Sequence, residues 1–373
     1  MQITAILRRA AQINSKGIAS IYGDRQQTWA QMEDRVARLA GALQGLGMGT
    51  GDRVALLSLN SDRFLEYFYA TVWGGGAMMP MNIRWAAPEC AYALNDAEAK
   101  ILLVDEAFRG LADAIKAEVP GLETLVYCGD GETPEGMLNY EELIAGAEPA
   151  EDAGRAGDDL AGIFYTGGTT GFPKGVMLSH TNFFVGTVSN AHEAMVEDGV
   201  VYLHAAPMFH IADIIYFTAV TMMAGTHVVI PMFTPEATLA AIEKHRPSVV
   251  LLVPVMLQMV LGSEKLAETD ISSLEMITYG ASPITEGTLR MAFERFPGVT
   301  FVQAYGQTEL APVATFLPAK YHVFEGPLAG KLRSAGRPTR IVEIRIVDKA
   351  MNELPRGDTG EIAVKGPNAM LGY

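Results

Sequence analysis

Hydrophobic positions in this chain come in short, near-continuous runs separated by stretches of helical periodicity. In the first half, the runs Val54–Leu59, Ile101–Val104 and Leu125–Cys128 predict strands, while Trp29–Leu46 and Arg63–Trp73 predict helices. In the second half, strands are expected at Val201–Ala205, Val228–Ile230, Val249–Val253, Met276–Tyr279 and Thr300–Gln303. Helical segments at Pro235–His245, Val255–Leu261 and Thr285–Phe296 lie between several of them. Strand and helix in alternation predict an α/β fold of β-α-β units around a largely parallel sheet. Val249–Val253, apolar at every position, suits a strand covered on both faces. Beyond Pro338 the pattern changes. Ile341–Asp348 alternates apolar and charged side chains, Arg356–Gly360 reads as a turn, and Glu361–Lys365 reads as a second strand. A period of two predicts a hairpin or meander with one wet face.

Two segments break the rhythm. Gly146–Gly157 is rich in alanine, glycine and acid, has no aromatic residue, and reads as a linker. Ile214–Phe233 carries no formal charge over twenty residues, a length that could cross a bilayer. Gly225-Thr226 interrupts it and Pro231 closes it, so the reading is a buried helix to about Ala224, a turn, and a buried strand at His227–Ile230. No integral membrane segment is expected. The chain is divided accordingly into a first α/β subdomain (1–158), a second (159–333) and a β-rich segment (334–373).

Charge narrows the partners. The 373 residues include 28 Lys and Arg against 43 Asp and Glu, a formal charge of −15. Such a balance excludes a nucleic-acid polymer as the natural ligand, because a phosphate backbone needs a broad basic surface. A small anion stays open, since one loop of backbone N–H groups can hold it. Cys90 and Cys128 are far apart and form no metal or redox motif, so a cytoplasmic setting is expected. The start, MQITAILRRAAQ, reads as an amphipathic helix and not as a signal peptide. His192-Glu193 lacks the second histidine of a zincin, and His204, His227 and His245 read as structural.

The strongest local signal is YTGGTTGFPKGV at Tyr165–Val176. Gly167, Gly168, Gly171 and Gly175 let the backbone wrap closely around a ligand, Thr166, Thr169 and Thr170 add hydroxyls, and Lys174 adds a mobile cation. Donors plus one cation on such a loop suit a polyphosphate. It is not a Walker A sequence, because Pro173 precedes Lys174 and Gly175 follows it. A second signal, QAYGQTE at Gln303–Glu309, sits where a predicted strand ends, the usual ligand edge of an α/β sheet. Tyr305 offers a flat face to a base, Thr308 a hydroxyl, and Glu309 a hard oxygen for Mg²⁺. Taken alone, Tyr305 reads equally well as a core aromatic and Glu309 as a helix N-terminal acid.

These two motifs, with Thr28-Trp29, GGGAMMPMNIR (Gly74–Arg84), PMFH (Pro207–His210), YGAS (Tyr279–Ser282), SAGRP (Ser334–Pro338) and GEIAVKGPNAMLGY (Gly360–Tyr373), resemble the adenylate-forming superfamily over essentially the whole chain. The stretch Ala70–Arg84 leans towards its CoA-ligase branch. The resemblance implies two β-α-β sheet subdomains plus a smaller β-rich one. It implies that Thr166, Gly167, Gly168, Thr169, Thr170, Gly171 and Lys174 hold the β- and γ-phosphates of ATP. Gly280, Ala281 and Ser282 would line adenine opposite Tyr305 and Gly306. Thr308 would meet the α-phosphate, Glu309 the magnesium, and His210 the substrate carboxylate. Gly167 stands where many relatives have serine, so one hydroxyl donor is lost.

The implied activity is ATP-dependent carboxylic acid:CoA ligation, through acyl-AMP and pyrophosphate to acyl-CoA and AMP. The partners would be a small carboxylic acid, ATP, Mg²⁺ and coenzyme A, with a homo-oligomer left open. The acyl pocket is expected around Phe209, His210, Ile211, Ile214, Ile215 and Leu310–Thr315, an apolar set that favours a fatty or aromatic acid, aliphatic first. In the family a ribose-binding aspartate, a hinge and a mobile C-terminal domain follow, so this chain is expected to bind ligands but turn over poorly. An aryl-CoA ligase, an adenylating enzyme with a carrier-protein acceptor, and a nucleotide-binding fragment are the alternatives.

Overall fold

The computed structural model describes residues 1–167, 172–194 and 196–373. Two large sheets and one small one account for its strands. The first has seven strands, in spatial order Leu138–Asn139, Thr124–Tyr127, Ile101–Val104, Arg53–Leu57, Ala77–Pro80, Leu160–Thr166 and Lys174–Ser179. It is parallel except for its last pair, Leu160–Thr166 with Lys174–Ser179. The second has nine strands, in order Arg337–Pro338, Val313–Leu317, Thr300–Gly306, Met276–Gly280, Val249–Leu251, Val201–His204, Thr226–Val229, Ile18–Tyr22 and Arg25–Thr28. Its centre is parallel and both ends are antiparallel. Glu343–Val347 and Glu361–Lys365 pair separately as the expected hairpin.

The sheets do not respect the division at residue 158. Leu160–Ser179 completes the first sheet, whereas Ile18–Thr28, from the beginning of the chain, forms one edge of the second. The segment expected to be a linker starts on the last residue of helix Tyr140–Gly146 and then runs without helix or strand, but it is tied down. Ala150 N–H donates to Ala37 O (2.9 Å), Ala153 N–H to Trp73 O (2.8 Å), and Trp73 Nε1 to Ala150 O (2.9 Å). Composition reads it as a linker, but backbone bonding to Ala37 and Trp73 fastens it to helices Trp29–Gly45 and Asp62–Trp73.

Helix Asp62–Trp73 contacts strands of both sheets and is buried at all twelve positions. Its apolar face joins an aromatic cluster, with Phe68 edge-on to Phe217 (4.7 Å between centroids) and to Phe183 (5.9 Å). Three charged residues are buried with it, and each has partners. Glu66 accepts from Arg35 Nε (2.6 Å) and Tyr140 OH (2.6 Å), Asp62 accepts a forked pair from Arg25, and Arg63 donates to Cys128 O (2.7 Å). Unpaired, any of them would cost several kcal/mol.

Helix Ile211–Met222 is twelve residues long, and no helix among the described residues is long and apolar enough to cross a membrane. Below it lies a closed polar chain. Asp213 and His204 are both fully buried, with His204 Nδ1 2.6 Å from Asp213 Oδ2. His204 Nε2 is 3.0 Å from His227 Nδ1, His227 Nε2 is 3.1 Å from Thr221 Oγ1, and Tyr202 OH donates to Asp213 Oδ1 (3.0 Å). His204 and His227 are structural, as the sequence implied. Cys90 and Cys128 are buried and unbridged, and burial raises both thiol pKa values.

Candidate active site

The glycine-rich segment connects two antiparallel strands, Leu160–Thr166 and Lys174–Ser179, at the edge of the first sheet. Thr166 pairs with Lys174 and Tyr165 with Gly175, so the ladder closes where the loop begins. Helix Ala87–Asp96 braces it: Tyr165 OH donates to Asp96 Oδ2 (2.6 Å), and Phe172 stacks on Tyr92 at 4.6 Å. Thr166 is half-buried, while Gly167 and Lys174 are exposed. Gly168, Thr169, Thr170 and Gly171 lie outside the described residues.

The second motif lies on the other sheet. Strand Thr300–Gly306 runs three residues past the predicted end, so Tyr305 and Gly306 belong to it. Gly280 pairs with Ala304, which puts Gly280, Ala281 and Ser282 beside Tyr305 at the carboxyl end of two parallel strands. Gly280 is obligatory there, since a Cβ would stand 2.2 Å from Ala304 O. Ala281 takes a positive φ of 65° and is exposed with Ser282. Tyr305 keeps 38% of its surface, so its side chain is partly open to a ligand. Thr308 and Glu309 follow on a single 3₁₀ turn, and Gln307 N–H donates to Pro312 O (2.8 Å) to shape it.

His210 precedes helix Ile211–Met222 at the carboxyl end of strand Val201–His204. Asn60, 5% exposed and rooted near the first sheet, holds the PMFH stretch by accepting from Met208 N–H (2.8 Å) and donating to Ala206 O (2.9 Å). His210 keeps an exposed edge. Desolvation by the protein behind it, and then the charge of Arg84, lower its pKa, so the ring is neutral at pH 7. Ile211, Ile214, Ile215, Leu310 and Ala311, named above for an acyl pocket, are buried. At Gly186 an added Cβ would lie 2.4 Å from Ala311 O and 3.2 Å from Ile215 Cδ1, so only glycine lets the Ile215 helix and the turn after Glu309 approach that closely.

Lys174 and Glu309, on different sheets, meet a common residue. Tyr373 OH donates to Glu309 Oε1 (2.9 Å), and Lys174 Nζ lies 4.9 Å from the centroid of the Tyr373 ring. Tyr373 ends one of the stretches that carry the family resemblance, though the resemblance assigned it no role, and Asn60 and Gly186 lie in none of those stretches, because each acts through a partner distant in sequence. As to metal, Glu309 is a single, partly exposed carboxylate. That suits Mg²⁺, which typically takes one or two carboxylates plus substrate phosphates.

The architecture is that of the N-terminal domain of acyl-CoA ligases. The inhibitor-bound N-terminal domain of FACL13 from Mycobacterium tuberculosis superimposes with a TM-score of 0.88 at 28% identity, over 99% of this chain and 90% of that one. The family model for AMP-binding enzymes matches residues 7–373, and the chain belongs to that family. Feruloyl-CoA synthase of Amycolatopsis is 33% identical over 98% of this chain and 70% of its own length. Indoleacetate–CoA ligase of Aromatoleum aromaticum is 32% identical over 100% of this chain and 72% of its own.

Proposed function

We propose that this acid–thiol ligase activates a hydrophobic carboxylic acid with ATP and passes the acyl group to coenzyme A. The observation that carries the reading is the convergence of Lys174, from the glycine-rich hairpin, and Glu309, from the second sheet, on Tyr373. A cation from one sheet, and a carboxylate and a partly exposed aromatic ring from the carboxyl edge of the other, are groups that a magnesium-bound nucleoside triphosphate needs.

In this reading Thr166 and Lys174, with Gly167, Gly168, Thr169, Thr170 and Gly171, hold the β- and γ-phosphates. Tyr305, Gly306, Gly280, Ala281 and Ser282 enclose adenine, and Thr308 donates to the α-phosphate. Neutral His210 donates N–H to the substrate carboxylate without removing its negative charge. A carboxylate oxygen then bonds to the α-phosphorus as the bond to the bridging oxygen breaks, releasing pyrophosphate. Mg²⁺, held by Glu309, would offset charge on the leaving group. The coenzyme A thiol then loses its proton to solvent, its sulfur bonds to the acyl carbon, and AMP departs with the electron pair of the cleaved acyl–oxygen bond. No protein nucleophile takes part. Buried, unbridged thiols agree with a cytoplasmic setting.

The substrate reading from the sequence is a fatty acid. A second reading, an aromatic acid, is favoured by two relatives that act on feruloyl and indoleacetate groups. Calorimetric titration with non-hydrolysable acyl-adenylate analogues separates them. Aliphatic tails of increasing length should each tighten binding by about 0.8 kcal/mol, about fourfold, per buried methylene until the pocket is full. A ring-bearing analogue that outcompetes every aliphatic one would select the aromatic reading. Failure of all analogues to bind better than AMP would overturn both.

A further inference from the structure

The segment Gly366–Tyr373 stitches the two halves of the site together. Its backbone pairs with the first sheet: Met177 N–H donates to Gly372 O (2.9 Å) and Leu371 N–H to Met177 O (2.9 Å). Met177 lies in the strand that begins with Lys174. The same segment grips the second sheet's turn. Met370 N–H donates to Glu309 O (2.9 Å), and Asn368 Nδ2 donates to Leu310 O (2.6 Å). Asn368 is fully buried. Asn182, in the helix after the hairpin, holds the strap from below by donating to Pro367 O (2.8 Å) and Ala369 O (2.9 Å). One segment, turning at Gly366–Ala369 and then pairing with Met177, therefore bonds to the glycine-rich hairpin on one side and to the Thr308–Leu310 turn on the other.

Tyr373 extends this bridge into side chains, with its hydroxyl on Glu309 and its ring under the Lys174 ammonium. We propose that Tyr373 is a positioning residue for Mg²⁺–nucleotide binding, fixing the Glu309 carboxylate and the Lys174 ammonium relative to each other. This rests on the function proposed above. A carboxylate has room for both tasks, since Oε1 can accept from the phenol while Oε2 faces a cation. Hydrogen-bonded outer partners of this kind commonly change metal affinity by 10–100-fold. Lys174, for its part, is a flexible point charge whose stem gains direction from a ring beneath it.

The test is calorimetric binding of α,β-methylene-ATP, with and without Mg²⁺, to wild type, Tyr373→Phe, Tyr373→Leu and Glu309→Gln. Tyr373→Phe keeps the ring and loses only the hydroxyl. It should reduce the Mg²⁺-dependent gain in affinity about tenfold, at the low end of outer-partner effects because Tyr373 is exposed, and leave Mg²⁺-free affinity unchanged. Tyr373→Leu should in addition weaken Mg²⁺-free binding about threefold by releasing Lys174. If Glu309→Gln abolishes the gain while Tyr373→Phe preserves or enlarges it, the positioning role is wrong and the functional reading stands. If wild type shows no Mg²⁺-dependent binding, or Glu309→Gln leaves it intact, the assignment of Glu309 fails and takes the role of Tyr373 with it. Melting curves of the two Tyr373 variants should overlay wild type, since the strap's backbone bonds remain.

Discussion

Asp213→Ala is expected to destabilise the protein by about 3–5 kcal/mol, whereas Asp213→Asn should cost only about 1 kcal/mol. The ordering follows from counting protons along the buried chain. Thr221 donates its hydroxyl to Phe217 O (3.0 Å), so its oxygen must receive the N–H at His227 Nε2. Nδ1 of His227 is then a lone pair, in keeping with burial, which drives the pKa of His227 well below the ordinary imidazole value. That lone pair accepts from His204 Nε2–H. One proton is left between His204 Nδ1 and Asp213 Oδ2, and Tyr202 supplies the bond to Oδ1.

Alanine at this position strands the Tyr202 hydroxyl and His204 Nδ1, both fully buried, and it opens a cavity. An asparagine amide can turn its N–H to His204 Nδ1 and its oxygen to Tyr202, so each bond survives with neutral partners. The shift of the urea midpoint at unchanged slope measures both effects. Equal losses for the two substitutions would mean that the charge itself, and not the completed chain of bonds, holds this region. The consequence reaches the site, because Asp213 N–H and Ile214 N–H both donate to His210 O at the start of the helix. Loosening Asp213 should therefore also weaken acyl-adenylate binding.

The sequence was most informative where burial is two-sided or where chemistry is local. Ile101–Val104 appears as a strand with the bounds expected of it, and Glu361–Lys365 likewise, while the alternating stretch Ile341–Asp348 contains the strand Glu343–Val347 that pairs with it. Ala77–Pro80 was not anticipated, since the glycines before it and the methionines within it obscure any period. Arg25–Thr28 is polar and lies on an edge, and its neighbour Ile18–Tyr22 is a strand by virtue of pairing with Thr226–Val229, two hundred residues on. Val313–Leu317 was absent from the reading for the same reason, as it exists by folding back onto Tyr305. The site divides in the same way. Glycine, threonine and lysine in one loop disclose their chemistry by adjacency. The meeting of Lys174 and Glu309 at Tyr373 depends on how two sheets are placed, and no local pattern encodes it.

Gly306→Ala should abolish acyl-adenylate binding, lowering affinity at least a hundredfold, while leaving most of the fold in place. Gly306 pairs with Val313 at the end of its strand, and an added Cβ would stand 1.9 Å from Pro312 O and 2.9 Å from both Pro312 C and Val313 Cα. These are backbone atoms with no rotamer to escape into, so the two strands must separate by more than 1 Å, a shift of the size that misplaced binding groups do not tolerate. The first bond lost is Gln307 N–H to Pro312 O, which shapes the turn carrying Thr308 and Glu309. Tyr305, immediately before it, moves as well. The candidate adenine, α-phosphate and metal contacts thus fail together, although the parallel pairing of Met276–Gly280 with Thr300–Ala304 is upstream of the disturbance. Gly45→Ala is the matched control, because nothing lies within 4 Å of its Cβ position and its φ is ordinary. That variant should bind as wild type does. Calorimetry on both, with melting curves beside it, distinguishes a damaged site from a damaged fold. Retained binding by Gly306→Ala would show that the ligand does not rest on this turn, and the placement of Thr308 and Glu309 in the site would have to be abandoned.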